Sequence, residues 1–139
     1  MSAPAAAPPV RVLVVDDQAL FRRAVVMMLA MDPGYTVVGE AGDGESAVDM
    51  AARLNPTLVV MDVRLPGMDG VATTRRLCQV LPGVAVILVS THSRAELPEG
   101  HETCGAIAFR PKEELSVDLL NGLLRGRDGG SLHGPMTDR

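Results

Sequence analysis

The 139-residue sequence predicts a single α/β domain: a doubly wound, parallel (βα)5 sheet with helices on both faces. Three observations predict it. Short aliphatic runs typical of strands alternate with longer segments whose apolar residues recur at helical spacing. The connections between them are short, so successive strands are joined by right-handed crossovers and lie parallel. The length, finally, fits one domain with a proper core.

The strands are predicted from short runs of β-branched and aliphatic residues bounded by turn-forming residues. The first run, VRVLVV, and the third, LVVMD, are almost continuously apolar, which is typical of strands buried on both faces. The five predicted strands are 10–15, 36–41, 58–62, 84–90 and 106–109.

The helices are predicted from apolar residues that recur every three or four positions. The first three end at turn signals, Asp32-Pro33-Gly34, Asn55-Pro56 and Pro82-Gly83. Asp69-Gly70 is interpreted as the N-terminal cap of the third helix. The four predicted helices are 18–31, 44–54, 71–81 and 113–125.

The segment 94–104, between the fourth and fifth strands, is the least regular part of the predicted domain. Pro98 and Gly100 interrupt it, and Pro in a helix interior costs on the order of 3 kcal/mol. We therefore predict a short, kinked or partly unwound element that is mobile.

The two ends of the chain have compositions that are unlike that of the domain. Residues 1–9 are rich in Ala and Pro and predict a disordered tail. Residues 127–139 are Gly-rich and polar, and predict a flexible tail or the remainder of a linker. The predicted folded domain is therefore 10–126.

Composition excludes several classes of function. The 13 basic and 17 acidic side chains leave a net charge of −4, so this chain has no basic field for nucleic acid. Aromatic residues make up only 2%, which leaves no platform for stacking bases. Cys78 and Cys104 belong to no metal or redox motif and are interpreted as reduced packing residues. No signal peptide or membrane-length apolar segment is visible, so we expect a cytoplasmic protein without membrane contact.

Polar residues that can carry chemistry stand where the predicted strands end. Asp16 and Asp17 follow the first strand, Asp62 ends the third, Ser90 ends the fourth, and Lys112 follows the fifth. In open α/β sheets, ligands bind beyond the carboxyl ends of the strands. Three neighbouring carboxylates raise at least one pKa unless a cation lies among them. Oxygen ligands without His or Cys favour a hard cation, Mg²⁺ in the cell, which shares its shell with waters and a phosphoryl oxygen.

Four segments resemble the signature segments of response regulator receiver domains: VLVVDDQALFR, VVMDVRLPGMDG, ILVST and GAIAFRPK. They occur in the family's order, with 45 residues from Asp17 to Asp62, 28 from there to Ser90 and 22 more to Lys112. The resemblance covers about residues 10–126 and is to the subgroup that often carries a helix-turn-helix output domain. It implies a flavodoxin-like fold with strand order 2-1-3-4-5.

The resemblance implies a role for each residue at the strand ends. Asp62 would be the phosphoacceptor, which attacks a phosphoryl group offered by a sensor histidine kinase or a small acyl phosphate. Asp16, Asp17, Asp62 and the main-chain carbonyl of Arg64 would hold Mg²⁺. Lys112 would neutralise charge on the transferred group.

The resemblance also implies a conformational switch rather than a turnover enzyme. Ser90 would move to hydrogen-bond the phosphoryl oxygens, and Phe109 would turn inward behind it. The change would reach the surface formed by the element between strands four and five, the fifth strand and the last helix. That surface would bind a downstream protein or a second copy in a homodimer. Two positions depart from the usual pattern: Thr91 is larger than the common Ala or Gly, and Pro111 precedes Lys112 instead of following it.

Other interpretations stay open. A receiver-like module could dimerise or bind a partner without phosphorylation. A phosphohydrolase with an aspartyl nucleophile is a further alternative, although DDQAL lacks the expected DxD spacing. Taken singly, Asp16-Asp17 could cap the first helix, Ser90 could end a strand and Phe109 could be a core ring. His92, His101 and His133 show no ligand spacing and are expected to bind no metal.

The short stretch after Lys112 bears on domain organisation. It has 27 residues, fewer than the roughly 50 that a separate domain normally requires. We therefore expect no output domain in this chain, which is either a stand-alone receiver or one excised from a longer transcription regulator.

Overall fold

A computed structural model of the chain describes residues 7–91 and 99–130, and it confirms the predicted α/β class. The strands are β1 (Val10–Val15), β2 (Tyr35–Ala41), β3 (Leu58–Asp62), β4 (Ala85–Ser90) and β5 (Ala108–Pro111). The α-helices of the described residues are α1 (Ala19–Ala30), α2 (Gly44–Leu54), α3 (Gly70–Val80) and α4 (Val117–Gly130).

The five strands form one parallel sheet in the order β2-β1-β3-β4-β5, which is the order that the resemblance implied. The chain order reverses at β1, which lies between β2 and β3. Val15 pairs with Met61 in the β1–β3 ladder, so the residues that follow this pair, Asp16 and Asp62, lie at the same edge of the sheet. This edge is the ligand position of the fold class.

The core consists of two clusters, one on each face of the sheet, because successive strand residues point to opposite faces. One cluster packs α2 and α3 against the sheet, and its buried members include Leu13, Ala47, Met61, Leu77 and Leu88. The other packs α1 and α4, and its buried members include Val14, Leu29, Val60, Ile87 and Leu120. Helices therefore cover both faces, as predicted.

Local signals set the ends of several helices. Asp69 caps α3 through a 2.8 Å bond from Ala72 N–H to Oδ1, which confirms the predicted cap. Asn55 ends α2 in the left-handed conformation, at φ 52°. Both cysteines are free: Cys104 is buried in the α2/α3 cluster and Cys78 packs against it, as expected for packing residues.

β5 was predicted two residues too early. It spans Ala108–Pro111, and its ladder with β4 runs from the pair of Ile87 with Ala108 to the pair of Ser90 with Pro111. Pro111, which donates no main-chain hydrogen bond, lies outside the predicted strand but inside the observed one. β5 is at the edge of the sheet, however, where a strand tolerates Pro.

The start of the last helix was also predicted too early. Lys112–Glu114 form a single 3-10 turn, and α4 begins at Val117 rather than at Glu113. Ser116 marks the true start, since its Oγ accepts a 3.0 Å hydrogen bond from Leu119 N–H. Serine is a favoured N-cap residue, and this signal outweighs the apolar spacing on which the prediction depended.

The end of the last helix was predicted five residues too early, at Arg125 instead of Gly130. The glycines after Arg125 were the reason why this stretch was predicted to be a tail. Within it, the Arg127 guanidinium donates a hydrogen bond to the carbonyl of Gly83, in the α3–β4 connection. A second hydrogen bond links α4 to the sheet: the Tyr35 hydroxyl on β2 donates to Asn121 Oδ1 at 2.6 Å.

Several predictions concern residues outside the described ranges. These are the disordered tail within 1–6, the flexible tail within 131–139 and the part of the irregular segment within 94–98. The rest of that segment, from Glu99, forms turns and bends; Gly100 within it has φ +88°, and Gly105, the residue after it, has φ +109°. Across 7–91 and 99–130, no helix combines the length and apolar character needed to cross a bilayer.

Candidate functional site

Three carboxylates meet at the carboxyl edge of the two central strands. Asp16, Asp17 and Asp62 each offer an oxygen, and these atoms lie within 4.8 Å of one another. Asp16 and Asp62 are buried, whereas Asp17 is exposed. The structure thus brings together the three acids that the sequence placed at the ends of β1 and β3.

Lys112 reaches into the same cluster. Its Nζ lies 2.6 Å from Asp16 Oδ2 and 3.3 Å from Asp62 Oδ2, and its side chain is only 8% exposed. The 3-10 turn after β5 places the lysine there, because Pro111 pairs with Ser90 at the end of the ladder. A buried ammonium that contacts two carboxylates compensates part of their mutual repulsion.

Main-chain groups hold the other oxygen of each buried carboxylate. Gln18 N–H donates to Asp16 Oδ1 at 2.8 Å, and Arg64 N–H donates to Asp62 Oδ1 at 3.1 Å. The N-cap residue of α1 is Gln18, which makes no side-chain capping bond. One oxygen of Asp16 therefore supports the turn into α1, and the other faces Lys112.

The cluster has the chemistry of a site for a hard divalent cation. Asp16 Oδ2 is buried, and its close ion pair with Lys112 lacks hydrogen-bond geometry, so this oxygen accepts no hydrogen bond from the described residues. An ion could occupy its unused lone pairs. The three candidate ligands are all carboxylate oxygens, which suit Mg²⁺ or Ca²⁺ rather than a soft metal. The residues present therefore fit a divalent cation.

The environment of Asp62 makes its ionised form costly. Burial raises the pKa of Asp62 above its usual value, and the charge of Asp16 raises it further. The Arg64 main-chain N–H and the Lys112 ammonium oppose this change in pKa without cancelling it. A cation among the carboxylates would favour the ionised form.

We expect Asp62→Asn to raise the stability of the metal-free protein at neutral pH. A carboxyl group whose pKa is raised on folding binds its proton more tightly in the native state. Its contribution to stability is complete below the unfolded pKa of about 3.9 and is lost as the pH rises through the folded value. The side chain of Asn does not ionise, so the variant does not lose this stability at neutral pH. Each kcal/mol regained corresponds to a rise in Tm of roughly 2–6 °C.

Thermal unfolding in a chelator between pH 4 and pH 8 measures this effect. The difference in Tm between Asp62→Asn and the wild type should be largest at neutral pH and should shrink toward pH 4. Asp49→Asn is the matched control, because Asp49 is an exposed carboxylate on α2. A variant that melts below the wild type at neutral pH would contradict the expected direction.

The remaining predicted residues lie nearby in the sheet. Ser90 is the buried last residue of β4, at the same edge as the acids. Phe109 pairs with Leu88 in the ladder, and its ring packs, partly buried, against the α2/α3 cluster. The Arg64 side chain is exposed in the loop after β3, and its main-chain N–H contacts Asp62. Their roles in a switch or as a metal ligand stay predictions.

Sequence reasoning missed three residues at the start of α1. Gln18 Oε1 lies 3.2 Å from Lys112 Nζ, and the Phe21 ring centroid lies 4.4 Å from the same atom. Arg22 donates to the main-chain carbonyl of Asp16 and pairs with Glu40 at 3.2 Å. The local signal is limited to their position, because Gln18 and Phe21 stand at the N-cap and in the first turn of α1, directly after the acidic pair.

Comparison with known protein families gives a match over most of the chain. Residues 12–123 match the family described as the response regulator receiver domain. The DegU transcriptional regulatory protein of Brevibacillus brevis is 33% identical over 129 residues, which cover 92% of this chain and 55% of that protein. A protein-glutamate methylesterase/protein-glutamine glutaminase of Myxococcus xanthus is 48% identical over 83 residues, 60% of this chain and 23% of that protein. The chain thus matches only part of either relative.

Solved structures agree with this match. The signal receiver domain of a NarL response regulator from Mycobacterium tuberculosis superposes with a TM-score of 0.78 at 31% identity. That comparison covers 88% of this chain and 99% of the other. The response regulator domain of CheB from Thermotoga maritima gives a TM-score of 0.73 at 28% identity, over 84% of this chain and 95% of the other.

Proposed function

The chain belongs to the family of response regulator receiver domains of two-component systems, and we propose that it is a switch controlled by phosphorylation of Asp62. The observation that carries this proposal is the cluster at the sheet edge. A buried carboxylate on β3 lies between two further acids and a buried ammonium. This is the arrangement that acceptance of a phosphoryl group requires: a nucleophile, a cation site and a fixed positive charge.

The proposed reaction forms one bond and breaks one. A carboxylate oxygen of Asp62 attacks phosphorus, and the bond from phosphorus to the donor breaks, either P–N in a phosphohistidine or P–O in an acyl phosphate. The Arg64 main-chain N–H fixes Asp62 Oδ1, and Oδ2 is the oxygen that faces Lys112. The lysine is therefore beside the place where negative charge collects, which is the position where an ammonium stabilises phosphoryl transfer.

The proposed cation is Mg²⁺. Asp16, Asp17, Asp62 and the main-chain carbonyl of Arg64 would hold it. When bound, the ion would neutralise charge on the phosphoryl oxygens and orient them. The buried Asp16 oxygen without a hydrogen bond from the described residues supports this assignment.

The proposed output is a change at the surface that contains β5 and α4. Ser90 would hydrogen-bond the phosphoryl group, and Phe109 would turn inward on β5. A downstream protein or a second copy of the chain would bind the changed surface. The matches to methylesterases support no esterase activity here, since 23% of the Myxococcus enzyme is aligned.

The proposed phosphodonor is a sensor histidine kinase. Three large apolar side chains on α1 and its C-cap residue are exposed, Leu20 at 84%, Met27 at 64% and Met31 at 86%. Leu20 stands between Gln18 and Phe21, which contact Lys112, so this apolar face begins beside the acidic cluster. A protein that covers it would bring its phosphoryl group close to Asp62, which supports α1 as the docking face.

The proposal is tested by adding acetyl phosphate with Mg²⁺, and separately beryllofluoride with Mg²⁺, to the whole chain. We expect intact mass spectrometry to detect one added phosphoryl group on the wild type and none on Asp62→Ala. Amide NMR signals around Asp62, Ser90 and Lys112 should shift with beryllofluoride. Equal labelling of Asp62→Ala would refute Asp62 as the acceptor, and a wild type that responds to neither reagent would favour a phosphorylation-independent interaction module.

A further inference from the structure

Among the described residues, four groups lie close to the ammonium of Lys112, and two of them carry no charge. Besides Asp16 and Asp62, it contacts the amide oxygen of Gln18 at 3.2 Å and lies 4.4 Å from the Phe21 ring centroid. We propose that Gln18 and Phe21 are positioning residues that keep this ammonium beside Asp62 when a divalent cation occupies the acidic cluster. The inference rests on the proposed function and adds two residues to its machinery.

A bound cation changes what holds the lysine. In the structure, the strongest attraction on Nζ comes from the carboxylates of Asp16 and Asp62, at 2.6 and 3.3 Å. A divalent ion shared by the acidic cluster offsets most of its negative charge and repels the ammonium directly. The carboxylates then hold the lysine less tightly, so other groups must contribute more to its retention. The Gln18 amide oxygen accepts a hydrogen bond from an ammonium, and an aromatic face attracts a cation through its quadrupole.

Each of the two groups is held in place by a contact other than the one with the lysine. Gln18 is fixed through its main chain, whose N–H donates to Asp16 Oδ1 rather than to the oxygen that faces the lysine. The partly buried Phe21 packs against the α1/α4 core cluster. Because Lys112 is almost fully buried, its contact with the ring is at the stronger end of the range for a cation over an aromatic face.

A plain packing role for Phe21 is the alternative, and substitution can separate the two roles. Phe21→Leu keeps an apolar side chain against the core and removes the aromatic face. Phe21→Tyr keeps the face. Gln18→Ala removes the amide from an exposed side chain, so it tests the second group without disturbing the core. If Phe21 positions the lysine, Lys112 should leave its place in Phe21→Leu and keep it in Phe21→Tyr.

The composition of the chain makes the lysine directly observable. Lys112 is the single lysine of the sequence, so selective ¹³C labelling of lysine gives side-chain signals from one residue. Protons of a side chain held over a ring face are shifted upfield. In the wild type and Phe21→Tyr, we expect the Lys112 Hε signals to remain shifted after Mg²⁺ is added. In Phe21→Leu they should move to the position of a free lysine.

The same variants are then labelled with acetyl phosphate and Mg²⁺. We expect Phe21→Leu to be labelled about 3- to 30-fold more slowly than the wild type, Gln18→Ala to be slowed in the same direction, and Phe21→Tyr to be close to the wild type. Wild-type labelling rates in both Phe21→Leu and Gln18→Ala would overturn the inference. So would a wild-type lysine signal that becomes free on addition of Mg²⁺. Failure of the proposed function looks different, because then Asp62 of the wild type itself takes up no phosphoryl group.

Discussion

Lys112→Met is expected to lower the free energy of unfolding by about 3–5 kcal/mol at neutral pH in the absence of metal. Asp16 is fully buried, and its Oδ2 lies 2.6 Å from the lysine Nζ. Methionine keeps most of the side-chain volume but removes the positive charge. Asp16 and Asp62 would then repel each other without a buried counter-charge, and the protein must either protonate one of them or bear the repulsion.

The control for this variant is an exposed ion pair. Arg53 lies 3.5 Å from Asp49 on the surface of α2, and both side chains are mostly exposed. Arg53→Met should therefore change stability by less than about 1 kcal/mol. Denaturant unfolding of both variants with and without Mg²⁺ is the measurement. Mg²⁺ should recover part of the loss in Lys112→Met, since an ion that binds only the native state stabilises it. Equal losses in the two variants would contradict the buried-pair explanation.

Gly70→Ala is expected to destabilise the domain by about 3 kcal/mol and to disturb Asp62 directly. A Cβ at position 70 would lie 2.4 Å from the main-chain oxygen of Asp62 and 2.8 Å from the Cα of Val63. Both are main-chain atoms, so no side-chain rotation removes the clash. Gly70 N–H also donates to the Val63 carbonyl at 2.8 Å, which binds the start of α3 to the end of β3. The substitution must separate these two elements.

Gly122→Ala is the matched control within the same chain. Gly122 is on α4, and a Cβ there would meet no other atom within 4 Å. Alanine favours a helix over glycine, so Gly122→Ala should stabilise the protein by about 0.5–1 kcal/mol. Denaturant unfolding should therefore show a lower free energy of unfolding for Gly70→Ala and a higher one for Gly122→Ala. Acetyl phosphate labelling should fall only in Gly70→Ala. A similar change in stability from both substitutions would show that close packing at position 70 is not limiting.

Most of the fold was predictable because periodicity and turn residues agree over the first 90 residues. The prediction of β1, α2 and β3 was correct to the residue, since their apolar runs end at Asp16, Asn55 and Asp62. The last part was less predictable because tertiary context decides it. Whether Pro111 can belong to a strand depends on which strand is at the sheet edge, and local spacing does not contain that information.

Some parts of the candidate site could also be predicted from the sequence, and others could not. Asp16 and Asp62 could be predicted to converge, because both stand at the carboxyl ends of parallel strands that the fold places side by side. The contacts of Gln18 and Phe21 with Lys112 could not, because they join residues more than 90 positions apart and depend on the 3-10 turn after β5. Phe21 also matches the apolar spacing of α1, and that spacing by itself indicates core packing rather than a contact with a lysine.

The bond between Tyr35 and Asn121 has an optical consequence. Tyr35 is the single tyrosine of a chain without tryptophan, so one side chain dominates the intrinsic ultraviolet fluorescence. Its hydroxyl joins β2 to α4 at 2.6 Å. Changes in the emission intensity of the unlabelled protein therefore report on how the last helix contacts the sheet, and this readout needs no extrinsic dye.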